Sequence, residues 1–222
     1  MPKFGMICCL LLWALKSQAQ MSTVELEVKP VPRPFLVDTV VNMWNKKQVG
    51  YANLSAQAKE ILYWTNYSRI NPKRFWDSVV APMIEQFTEL KGKESVSLQQ
   101  DLYKTPSLPL FRLNETLIRT AQQHSDDIAV RQATPSHTAT NGQTFQDRMK
   151  MARIKACANE NISLGSHNTL LSLVLLYLDI RLPEMGHRKA LLNPNLTEIG
   201  IGYAIYGKDQ FFMVQDMACS QN

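Results

Sequence analysis

No apolar stretch in this 222-residue chain reaches the about 20 residues that a membrane-spanning helix needs, which excludes an integral membrane segment. Clustered positive charge is missing too. Lys plus Arg number 24 against 19 acids, a formal charge of +5 with no basic run, so the polyanion face that nucleic acid requires is excluded. No internal repeat is present, which removes solenoids and propellers. Strands do not alternate with helices in a βαβ rhythm, which argues against a doubly wound parallel sheet. There is no H-E-x-x-H motif, and neither downstream cysteine has a basic neighbour in sequence to activate it.

The first residues supply a basic start, a short apolar core from Met6 to Leu15, and a small-x-small site before Gln20. This is the pattern of a secretory signal peptide over residues 1–19, so the mature chain is expected to be exported, secreted or periplasmic. Cys8 and Cys9 raise lipid anchoring as an alternative, but they lie inside the apolar core rather than at its end. Cleavage removes Lys3 and Lys16, so Lys plus Arg falls from 24 to 22 against 19 acids and the formal charge to +3. Only Cys157 and Cys219 remain, and in an oxidising compartment they are expected to pair, two buried free thiols being the alternative.

Residues 20–54 are dotted with proline (Lys29-Pro-Val-Pro-Arg-Pro34) and read as an extended arm, with one domain over 55–222. From Ser55 the apolar positions Ala58, Ile61, Leu62 and Trp64 recur at helical spacing until Asn71-Pro72, and a second helix follows from Pro72 to Phe87. Gly92, Pro106 and Pro109 among charges make 90–112 a surface loop. Asn114 caps a helix that carries Leu117, Ala121, His124 and Ser125 on one face, where His124 reads as a hydrogen-bonded core-edge residue. Thr144 precedes a short helix, Phe145 to Arg153, and Asn168 an apolar one, Leu170 to Asp179. The period then changes to two: Glu198–Tyr206 and Gln210–Met217, joined at Gly207-Lys-Asp, form a hairpin. The class is α+β, with a mainly antiparallel sheet between helical layers.

The chain offers His137, Glu160 and His187 in order, each in a short polar context beside apolar runs, and imidazoles with a carboxylate suit zinc or another divalent cation. Two histidines 50 residues apart form no compact ligand motif, so spacing alone leaves a metal site and a plain hydrogen-bond network both open. Asn159 and Asn161 read as satisfying turn backbone groups. Arg148 and Arg188 read as partners of acids or helix ends, and His167 as an exposed residue of a helix-entry loop. Gly200 and Gly202, alternating in a strand, mark a close backbone approach or a bulge.

Five blocks, Ser136-His-Thr, Asn141 to Met149, Asn159-Glu-Asn-Ile162, Gly186-His-Arg to Asn193-Pro194, and Ile199-Gly-Ile-Gly202, occur in an order that resembles the CAP superfamily. These are the cysteine-rich secretory, antigen 5 and pathogenesis-related proteins, and the closer likeness is to the bacterial secreted branch. The resemblance covers Ser55 to Ala218. It implies an α-β-α sandwich whose central groove gathers two histidines and two acids. His137, Glu160 and His187 fall on three of these positions, with Asp179 favoured over Glu184 for the fourth.

Two functions follow as expectations. The first is a binding module, without turnover, for a divalent cation held by His137 and His187 or for a small apolar, lipid or peptide ligand. The second is a metal-dependent hydrolase of peptide or cell-envelope material, in which Glu160, or Asp179, accepts a proton from a metal-held water.

Overall fold

The computed structural model describes residues 24–35, 37–166 and 168–221. The expected leader at 1–19 and His167 lie outside the described residues. The arm expected to stay extended as far as residue 54 instead turns helical at α1, Thr39–Lys46, where the Asp38 side chain accepts from Val41 N and supplies the cap that the upstream prolines obscure. Ser55 caps α2, Ala56–Ile70, and Pro72 restarts the chain as α3, Pro72–Phe75. A π turn, Trp76–Val80, carries α3 into α4, Ala81–Gln86.

Residues 90–112 are not one surface loop. Lys93–Lys104 form helix α5, which buries only Ser95, Leu98 and Leu102, too few apolar positions to stand out among its charges. A two-residue strand β1, Arg112–Leu113, leads to the long helix α6, Glu115–Val130, capped by Asn114. After α7, Phe145–Met151, comes β2, Ala158–Ser166, so Asn159 and Asn161 lie in a strand and not in a turn. Apolar α8, Thr169–Leu178, ends at Asp179, and short α9, Gly186–Leu191, precedes the hairpin of β3, Glu198–Tyr206, and β4, Gln210–Ala218.

The strand order is β1-β3-β4-β2, with β1 parallel to β3 and the other pairs antiparallel. Alternation divides the side chains between two helical layers. Ile199, Ile201, Phe211 and Met213 join the core under α2 and α8, while Phe212, Val214 and Ile162 pack against Ala121 and Ile128 of α6. The result is an α+β sandwich with helices on both faces of a mainly antiparallel sheet. Cys157 and Cys219 are disulfide-bonded across the ends of β2 and β4, with Cα atoms 5.3 Å apart, closing a loop worth about 4 kcal/mol of unfolded-chain entropy.

Gly200 and Gly202 set how closely α6 approaches the sheet. A Cβ at Gly200 would stand 2.0 Å from the Leu117 backbone carbon, and one at Gly202 would stand 2.2 Å from Ala121 O, both on helix backbone that has no side-chain freedom to yield. Gly200→Ala should therefore lower stability by about 3 kcal/mol, seen as an earlier urea midpoint with an unchanged slope. A variant as stable as the parent would show that α6 can lift from β3.

Candidate functional site

Each histidine has its own acid. His137, on the loop between α6 and α7, places Nδ1 2.8 Å from Glu160 Oε1, and the other oxygen of Glu160 accepts from the Arg148 guanidinium. A second guanidinium nitrogen of Arg148 donates to His137 O at 2.9 Å, so α7 holds the loop against β2. His187, at the start of α9, places Nδ1 2.5 Å from Asp179 Oδ1, while Arg188 N donates to Asp179 Oδ2 at 2.9 Å. Asp179 is 1% exposed, whereas Glu184 sits exposed in the preceding turn, so Asp179 and not Glu184 stands beside His187.

The backbone around Asp179 is arranged for this. Asp179, Arg181 and Met185 all take positive φ, 48°, 60° and 49°, a conformation unfavourable for residues with a Cβ and tolerated where surrounding contacts over-determine it. Arg188 supplies those contacts: it donates to Tyr177 O at 2.7 Å, to Leu178 O at 3.2 Å, and to Ser97 Oγ and Asp101 Oδ2 on α5 at 2.8 and 2.9 Å. The helix missing from the sequence reading is thus what pins the segment that carries His187.

Reading along the sequence also passes over Asp216. It lies directly opposite Glu160 in the β2–β4 register, is fully buried, and its Oδ2 accepts from the Thr120 hydroxyl of α6 at 2.7 Å. An acid inside the apolar run Phe211 to Met217 was the available signal, but only the strand register reveals its partner. Burial, reinforced by the negative charge of Glu160, pushes the Asp216 carboxyl well above its ordinary value. Burial also acts to raise Glu160, but the hydrogen bond from His137 and the charge of Arg148 outweigh it and hold that carboxyl below its ordinary value. His124 completes the buried set: Nε2 lies 2.8 Å from Ser136 O, and burial lowers its imidazole below the ordinary value.

Successive residues of β2 serve different partners. Glu160 faces the α6 layer, and its neighbour Asn161 faces α2 and α8, where its side-chain amide reaches Gln215 at 3.3 Å and His187 O at 3.5 Å. Among the described residues no group of three His, Cys, Asp or Glu side chains is set to hold a metal ion. Each oxygen of Glu160 and of Asp179 already takes part in one hydrogen bond, and the ring nitrogen that each histidine leaves uncommitted is Nε2. That set does not fit a tightly held divalent ion. Beside His187 a cavity of about 320 Å³ is walled by Ile162, Leu164, Leu175, Leu176 and Ile180, with polar Ser163, Asp179 and Gln210 also on its lining.

The profile described as "CAP: Cysteine-rich secretory protein family" matches residues 62–217. The chain belongs to this family. It is 33% identical over 116 residues to the Bacillus subtilis (strain 168) protein YkwD, a match that covers 52% of this chain and 43% of YkwD. Among solved structures it resembles an extracellular SCP-domain protein of Bacillus anthracis str. Ames at 27% identity and a TM-score of 0.42, over 51% of this chain and 35% of that one. It also resembles the venom allergen-like protein 4 of Schistosoma mansoni at 14% identity and a TM-score of 0.45, over 76% and 92%. The chain spans less than half the length of the two Bacillus proteins. No helix of the described CAP domain is long and apolar enough to cross a membrane.

The carboxyl pair gives the CAP domain a signed pH dependence. Unfolded, Asp216 loses its proton near the ordinary value of 3.8; folded, it keeps the proton to a higher pH, so the native state binds more protons and stability falls as pH rises through that window. Asp216→Asn imitates the protonated side chain and should remove this decline, so that denaturation at a series of pH values shows the variant overtaking the parent as pH rises. Parallel profiles would mean that Asp216 is ionised in the folded chain.

Proposed function

We propose that the chain is an exported CAP domain that acts as a binding module, holding a small, mainly apolar ligand in the cavity beside His187 without turning it over. One observation carries this: a cavity with aliphatic walls lies beside His187, whose ring Asp179 holds in a fixed orientation. The aliphatic walls supply burial, and the Asp179-oriented imidazole supplies a polar contact for the head of the ligand. Export rests on the leader pattern at 1–19 and on the secretory family. A divalent cation on the two imidazoles would be weak and exchangeable, because no third ligand joins them.

The test uses the mature protein titrated with a fluorescent fatty acid, with zinc, and with a broad peptide library in parallel. Fatty-acid binding should be saturable, persist in the presence of a chelator, and weaken about tenfold in His187→Ala, the loss of one hydrogen bond to a charged group. Zinc should bind weakly at most and depend on both His137 and His187. Peptide cleavage that disappears in Glu160→Gln would overturn the reading in favour of the hydrolase.

A further inference from the structure

The exposed apolar side chains of this domain concentrate at one place. Phe35, Val37, Val40, Met43, Trp44 and Val49 all lie within fifteen residues, and their exposure runs from 37% at Trp44 to 103% at Phe35. Val40, Met43 and Trp44 form a stripe on α1, with Val37 just ahead of the helix. This helix is not loosely attached. Its opposite side buries Val41 and Asn45; Asn66 Nδ2 donates to Asn45 Oδ1 at 2.8 Å, and Trp44 Nε1 donates to Phe111 O at 2.9 Å. The domain therefore holds α1 rigidly by one face and presents an apolar face outward.

Charge separates the occupants that such a face could have. Lys46 and Lys47 are exposed at the end of the helix, Lys47 on the same stripe as Val40. The one acid from Phe35 to Val49 is Asp38, whose oxygens are engaged by Val41 N at 3.1 Å and by Asn71 Nδ2 at 3.2 Å. A second copy packed on this face by a twofold axis would set lysine against lysine with no free carboxylate from the same segment to answer it. An anionic lipid surface answers both features, taking the apolar side chains and the Trp44 ring at its boundary and the two ammonium groups at its headgroups. We propose that α1 and its flanks dock the domain on the surface of an anionic membrane, leaving the His187 cavity on the protein body.

Sedimentation of the full exported chain with vesicles of phosphatidylglycerol and phosphatidylcholine, against phosphatidylcholine alone, tests this. The expected result is binding to the anionic vesicles only, with a blue shift of tryptophan emission, since Trp64 and Trp76 are buried and Trp44 is the exposed reporter. Lys46→Gln with Lys47→Gln should weaken binding roughly thirtyfold, and Val40→Ser with Met43→Ser should abolish the shift while the thermal melt stays put. The lysine pair keeps the test decisive if the serine pair disturbs folding. No sedimentation with anionic vesicles, or binding indifferent to the lysine pair, overturns the proposal. So does a concentration-dependent dimer that Val40→Ser with Met43→Ser dissolves, because the occupant is then a second copy.

Discussion

The contact of α6 with β3 through Gly200 and Gly202 is the constraint from which the rest of the site follows. Because helix backbone rests on strand backbone, Thr120 comes within 2.7 Å of Asp216, and Ser125 reaches Phe212 O at 2.9 Å. His124, one residue before Ser125, then lies against Phe212 and fixes the start of the 136–144 loop through Ser136 O. That loop delivers His137 to Glu160. Two absent side chains on a strand thus determine where an imidazole stands on the neighbouring edge, since a helix standing higher off the sheet would move every one of these bonds at once.

Three buried arginines hold the segments that neither the sheet nor the helices hold. Arg69 donates to the carbonyls of Pro109, Leu191, Asn193 and Leu196 at 2.8 to 3.1 Å and lies 4.0 Å from the centre of the Phe111 ring. Burial lowers its guanidinium to about 10, still charged at neutral pH, with its hydration replaced by carbonyl oxygens rather than by a carboxylate. It ties the entry to β1 and the exit from α9 to α2. Arg188 does the same for α5, α8 and α9, and Arg148 for the His137 loop. A planar fork with five donors suits junctions at which several chain segments end with unpaired carbonyls.

Long-period features were legible in the sequence. The caps at Ser55 and Asn114, the break at Pro72, and the change of period at Glu198 are local signals, and each marks an element where it was expected. What escaped depends on distant partners. Helix α5 is stabilised by Arg188, which donates to Glu94 O, Ser97 and Asp101 from more than eighty residues away. Strand β2 looks polar because Glu160 and Asn161 are satisfied across the sheet, by groups that only the register with β4 brings alongside. The pairing of Asp216 with Glu160 was hidden for the same reason. The His-acid pairs were half legible: the four residue types stood out, but which acid orients which histidine appears only in the fold, His137 with Glu160 and His187 with Asp179.

That separation bears on chemistry. A carboxylate that orients an imidazole through Nδ1 leaves Nε2 as the working atom, an arrangement that serves a metal ligand or a hydrogen-bond donor equally well. What distinguishes the uses is whether a third donor or a free base stands nearby, and here one oxygen of each carboxylate is given to orienting its histidine. Three residues with positive φ within 179–185 carry a cost of about 1–3 kcal/mol each, and Asp179 offsets part of it by accepting from both the His187 ring and the Arg188 amide. Such an investment fixes the direction of one ring. Under the proposed reading, a fixed ring beside the cavity serves a ligand end because rigid placement lowers the entropy lost on binding.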